Sequence, residues 1–168
     1  YIYFNVIQYV LNKDVLLNYV LRRLADPDKT DLATVYQSWW TDEYYNIQWV
    51  MHNYAPPEKV EEETRPDAFI ESTDKNLQVN LCTYIEQNPE TTFYIFFPPY
   101  SILYWNDVKQ ENHMQATMRE YAYIADTLLA YDNVRVFYFP NREEIVTDLN
   151  NYADYTHYHA RFDRFMTE

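Results

Sequence analysis

Not one of the 168 residues is glycine. Average usage of about 7% would place roughly a dozen in a chain of this length. Glycine takes positive φ without steric cost and lets backbone approach a ligand closely, so its absence removes the usual material of tight turns and helix ends. It also removes the loops that cradle phosphates. P-loop and dinucleotide-binding readings need glycine at fixed positions, and neither survives. Three origins fit such a chain: a piece of a longer protein whose glycine-bearing loops lie elsewhere, an engineered sequence, or an incompletely read one.

The remaining composition is that of a folded domain. Hydrophobic residues make up 48% and aromatic residues 19%, too much apolar area to leave in water. No apolar run reaches the ~18 residues of a membrane span, and Tyr1-Ile2-Tyr3-Phe4-Asn5 has neither the basic start nor the small-residue cleavage site of a signal peptide. The net charge of −13 argues against nucleic acid and against anionic membrane surfaces, which select basic patches. Cys82, the single cysteine, excludes an internal disulfide and a cysteine metal site. Its setting, Leu81-Cys82-Thr83-Tyr84-Ile85, suits a small core residue. No metal or cofactor is expected.

Along the chain, residues 1–57 read as helical and aromatic-rich. A helix is expected over Phe4 to Ala25, with Leu17, Val20, Leu21 and Leu24 on one face and Pro27 beyond its end. Short helices are expected from Thr30 to Tyr54. Residues 58–71, with Glu61-Glu62-Glu63 and Pro66, read as a solvated acidic connection and the best internal boundary. From 72 to 168 the pattern is βαβ. Ser72 or Thr73 caps a helix carrying Leu77, Leu81, Tyr84 and Ile85 and ending near Asn88-Pro89. Thr92 to Phe97 is a strand-length apolar run stopped by Pro98-Pro99. Its apolar faces suit burial on both sides, as in a parallel sheet. A long helix over about Glu111–Tyr131, a strand over Asn133–Phe139 and a closing helix over Ala160–Met166 follow.

Ligands of parallel α/β sheets bind at the carboxyl ends of the strands. Two loops leave such ends: Pro98-Pro99-Tyr100-Ser101, and a longer one from Pro140 to Tyr158. In the second, Asp154 and His157 are three apart. A carboxylate on the imidazole Nδ1–H fixes the tautomer and stabilises the imidazolium, leaving Nε2 to take a proton from a nucleophile. Spacing alone equally fits an aspartate capping the last helix beside a structural histidine. His52 and His113 fall in helices without metal-ligand spacing, and His159 reads as exposed on the closing helix. Tyr100, Tyr104 and Trp105 follow the Pro-Pro turn and offer an aromatic wall for a sugar or acyl group. Ser101 is placed to line the same pocket, or to bond backbone as a loop serine.

The order strand, loop, Asp154-x-x-His157, helix resembles the closing block of the SGNH/GDSL hydrolase superfamily. Closer still are bacterial cell-envelope SGNH-like proteins with a strand running into Phe96-Phe97-Pro98-Pro99-Tyr100-Ser101 and an ending of the type Leu149-x-x-Tyr152-x-Asp154-x-x-His157-Tyr158. The resemblance covers roughly residues 84–168, and more loosely 5–24. It implies a three-layer α/β/α sandwich with a flavodoxin-like parallel sheet, incomplete at the N-terminus. It implies an esterase or acyltransferase acting on ester-linked acyl groups, with a small acylated substrate or a glycan as partner and a place at the cell envelope. His157 is then general base and Asp154 its orienter, with Tyr100, Ser101, Tyr104 and Trp105 toward substrate.

The family's nucleophilic serine, in a Gly-Asp-Ser-like block near the N-terminus, has no counterpart here. Its oxyanion-hole glycine is equally absent. The chain is thus an enzyme only if that serine is supplied from outside these residues. The rival reading is a non-catalytic carbohydrate- or partner-binding module of the same fold.

Overall fold

The two apolar runs become a parallel pair. Strand β1 spans Phe93–Phe97 and β2 spans Val134–Tyr138, in a register that sets Phe93 opposite Val134 and Phe97 opposite Tyr138. The structure, a computed structural model, describes residues 42–167. The chain divides into two units, Tyr1–Thr41 and Asp42–Glu168. The expected helix over Phe4 to Ala25 lies outside the described residues. The acidic connection lies within the second unit, where Val60 N–H donates to Gln110 O at 2.8 Å and Thr64 N–H to Asn112 O at 3.1 Å.

Helix α1 (Ile47–Asn53) is capped by Asn46, whose side chain accepts from Trp49 N–H. Next, α2 (Ile70–Leu77), a π-helical turn (Gln78–Cys82) and α3 (Thr83–Gln87) run on without a break. This rod starts earlier than the expected cap at Ser72 or Thr73. The Ser72 hydroxyl donates back to Phe69 O at 2.9 Å, the bond a serine makes from inside a helix. The rod ends at Asn88, ahead of Pro89, as proline disfavours helical backbone in the residue before it.

After β1 the chain forms α4 (Ile102–Gln110) and α5 (Met114–Leu129), where a loop and then a single helix from Glu111 were expected. The break is a Schellman turn: His113 N–H donates to Val108 O at 2.9 Å and Asn112 N–H to Lys109 O at 3.2 Å. Asn112 sits at φ 57°, the one positive φ among the described residues. That position ordinarily goes to glycine, and asparagine is the usual substitute. A chain without glycine thus still ends this helix in the common way.

The rod and α5 pack on the same face of the sheet. Their shared core is Ile85, Leu128 and Val134, with Phe93, Ile95, Ile124 and Val136 against it. Buried Cys82 belongs to this rod, in the core role expected of it. Alternate strand residues point the other way. There Tyr94 is 69% exposed, Phe96 41% and Phe137 43%. The expected burial on both faces is therefore met fully on one only; on the other, Phe139 just past β2 is buried, with Phe96 and Phe165 against its ring, while Tyr94, Phe96 and Phe137 keep exposed surface. The molecule is a mixed helix-and-strand α/β fold around this pair.

Beyond β2 come α6 (Glu143–Val146), a 3-10 turn (Leu149–Asn151), a loop closed by an antiparallel bridge between Tyr152 and Tyr158, and α7 (Arg161–Thr167). A second core gathers here, made of Val50, Ile145, Leu149 and Tyr152 with Leu103, Tyr158 and Phe162 around it. Among the described residues no helix is long and apolar enough to cross a membrane.

Candidate functional site

The site is built on the loop that follows the second core. Tyr152 is fully buried, and its hydroxyl donates to Pro99 O at 2.5 Å. Two backbone bonds, Ala153 N–H to His157 O at 2.9 Å and His159 N–H to Asn151 O at 2.7 Å, pinch the loop shut. Asn151, also buried, donates through Nδ2 to Ile145 O at 3.1 Å. At the tip the Ser101 hydroxyl donates to Tyr155 O at 2.6 Å. The loop from β2 is thereby fastened to the segment leaving the carboxyl end of β1, which is where a parallel sheet places its ligand chemistry.

At that tip Asp154 and His157 meet. His157 Nδ1 lies 2.6 Å from Asp154 Oδ2. The other carboxylate oxygen accepts from Thr156 N–H at 2.8 Å and His157 N–H at 2.7 Å. With Nδ1 donating, the neutral ring carries its lone pair on Nε2. The aspartate does not cap the last helix. That task falls to His159, whose Nδ1 accepts from Arg161 N–H at 3.0 Å. Burial works against ionisation of Asp154, but the two backbone N–H bonds, the ring N–H and the histidine charge outweigh it. The carboxyl is held below its ordinary 3.8. The carboxylate form is therefore the one this loop is shaped around.

The other expected residues divide. Ser101 has no exposed surface, and its oxygen both donates to Tyr155 O and accepts from Leu103 N–H at 3.2 Å as the N-cap of α4. Its hydroxyl faces protein, as a loop serine's does, rather than a substrate. Tyr100, Tyr104 and Trp105 pack in series, with ring centroids 4.6 and 5.2 Å apart. Tyr104 also bonds the Tyr121 hydroxyl, and burial raises both phenols above their ordinary range. Trp105 reaches a cleft of about 410 Å³ lined by Ile102, Met114, Met118, Tyr138 and Val146. Asp154 and His157 do not line that cleft.

His159 differs from the expected exposed position. Its Nε2 donates to Asp42 at 3.1 Å and its ring packs on Tyr45 at 4.4 Å. His113 stands edge-on to Phe69 at 5.5 Å, and His52 is exposed on α1. Among the described residues no group of three or more His, Cys, Asp or Glu could hold a metal ion. Sequence reasoning placed Tyr152 in the motif Leu149-x-x-Tyr152-x-Asp154-x-x-His157 without giving it a role, and gave none to Thr156. An apolar pair three apart, Leu149 and Tyr152, inside an otherwise polar loop was the available signal of a buried anchor.

Comparison with known proteins adds no relative: no family model, no curated protein and no solved structure matches the chain at a significant level.

Proposed function

We propose that this chain is part of an SGNH-like esterase or acyltransferase acting on ester-linked acyl groups, with cell-envelope carbohydrate as the acyl carrier. His157 is the general base and Asp154 its orienter. The nucleophilic serine comes from a segment outside these 168 residues. The observation that carries the reading is the 2.6 Å contact between His157 Nδ1 and Asp154 Oδ2 on a loop tied to the carboxyl end of β1. In the reaction, Nε2 takes the serine Oγ–H proton as Oγ attacks the ester carbonyl carbon. The imidazolium, stabilised by the carboxylate, returns that proton to the departing alkoxide, leaving an acyl-serine. Water or an acceptor hydroxyl then discharges the acyl group by the same steps. On this reading the sheet belongs to a three-layer flavodoxin-like sandwich, and the uncovered face bearing Tyr94, Phe96 and Phe137 is where the further layer goes.

The test is ester turnover by the protein that contains the serine. His157→Ala is expected to lower kcat by about 10²–10⁴-fold, the range of a general base. Asp154→Asn is expected to lower it by a similar order. Unchanged turnover in His157→Ala would end the proposal.

One observation favours the non-catalytic alternative. Both described serines are committed to backbone carbonyls, Ser72 to Phe69 O and Ser101 to Tyr155 O, while Ser38 lies outside the described residues. In that case the cleft beside Trp105 holds a glycan or similar ligand. Calorimetric binding of a glycan that disappears in Trp105→Ala and persists in His157→Ala supports it, and binding indifferent to both removes it.

A further inference from the structure

The His157 ring is held through Nδ1 by Asp154 Oδ2 within one short turn, and the placement of that turn depends on what fastens it to the rest of the fold. Two hydroxyls reach across more than fifty residues of sequence to supply it. Tyr152 Oη donates to Pro99 O, and both residues are fully buried. Ser101 Oγ donates to Tyr155 O from a site with no exposed surface, and the same oxygen caps α4. Tyr155 O belongs to the peptide whose N–H is that of Thr156, the group that donates to Asp154 Oδ1 at 2.8 Å. Fixing that carbonyl fixes the peptide plane, and the plane aims its N–H at the carboxylate.

We infer that Ser101 and Tyr152 are positioning residues that hold the tip of the Asp154–His157 loop in register with the carboxyl end of β1, so that the carboxylate selects the Nδ1–H form of His157. The inference rests on the proposed base-and-orienter pair and extends it to the residues that aim it. Neither residue touches a reacting atom. The loop keeps its backbone closure without them, through Ala153 N–H to His157 O and His159 N–H to Asn151 O. Removing a hydroxyl therefore releases the tip and leaves the closure standing.

The experiment is nitrogen-15 NMR of the His157 ring in the whole protein, read through the carbon-bound ring protons at alkaline pH. A separate His157→Gln sample assigns the signals. The unaltered protein is expected to show the Nδ1–H tautomer. Ser101→Ala and Tyr152→Phe are expected to lose that preference and move to the mixed shifts of an unconstrained histidine. Ser101→Thr, which keeps a hydroxyl, is expected to retain it, and Ser72→Ala, which removes a distant hydroxyl, to leave it unchanged. Folded Ser101→Ala and Tyr152→Phe proteins with the tautomer intact overturn the inference. Failure of both variants to fold also overturns it, because a positioning role requires the tip to come loose with the fold preserved. If the unaltered protein itself lacks the Nδ1–H form, the fault lies in the pair, and the proposed base falls together with its positioners.

Discussion

The two buried clusters of the molecule are built from different material. Ile85, Leu128 and Val134 come from the regular elements: the long rod, α5 and β2. Val50, Ile145, Leu149 and Tyr152 come from a short helix, a single helical turn, a 3-10 turn and a loop. The first cluster covers one face of a sheet and carries no candidate chemistry. The second carries the Asp154–His157 pair on its rim. Regular elements bury apolar area efficiently, but a reactive pair has to stand where backbone turns outward. An irregular region can do that rigidly only if side chains such as Tyr152 and Ser101 replace the ladder bonds it lacks.

The contrast has measurable consequences. Leu128→Ala opens a cavity in the regular cluster and is expected to cost about 2–5 kcal/mol, read as a lower urea midpoint for the whole described unit. Tyr152→Phe leaves Pro99 O buried and unsatisfied, an expected cost of about 1–3 kcal/mol. Its signature in hydrogen exchange should be confined to residues 152–158. If both variants gave the same exchange pattern, the two clusters would not be separate in any useful sense. Asn112→Ala removes the amide whose local hydrogen bonding lets a residue with a β-carbon hold the left-handed region and is expected to cost about 1–2 kcal/mol, whereas Asn112→Gly, with no β-carbon to clash, keeps the turn between α4 and α5. A loss in both Asn112 variants would instead point to the Asn112 Nδ2 bond to Glu61 O.

The smallest effect is a pH dependence. Asp154 has its folded value lowered below 3.8, so the unfolded chain binds the proton more readily. The stability this group adds is present above the unfolded value and is lost as pH falls through the lower folded one. Denaturation midpoints between pH 6 and pH 3 should therefore fall further in the unaltered protein than in Asp154→Asn. Equal slopes would mean that the bonds to the carboxylate contribute nothing to the fold.

Much of the regular half was legible in the sequence. Two bounded apolar runs became β1 and β2, and the stripe through Met118, Tyr121 and Leu128 became α5. The start of α4 was not read, although Ser101 ahead of Ile102-Leu103 is an N-cap signal, because Pro98-Pro99 drew the reading toward loop. The break at Asn112 hid for a related reason: the glycine that usually marks a helix end is missing, and asparagine marks it more faintly. Which face of the sheet would be covered could not be read, since phenylalanine and tyrosine occupy both. At the site, the Asp154–His157 spacing was visible, but its anchors were not. Tyr152 is buried by Val50, a residue about a hundred positions away in sequence, and local pattern holds no trace of that contact.

A fluorophosphonate distinguishes an activated serine from an idle one, because Oγ must be deprotonated to attack phosphorus and expel fluoride. Intact-mass analysis of the serine-containing protein, before and after exposure, is therefore the measurement of choice. The expected result is one adduct per molecule in the unaltered protein and none in His157→Ala. No adduct in the unaltered protein, or an equal adduct in His157→Ala, would contradict the assignment of His157 as the base.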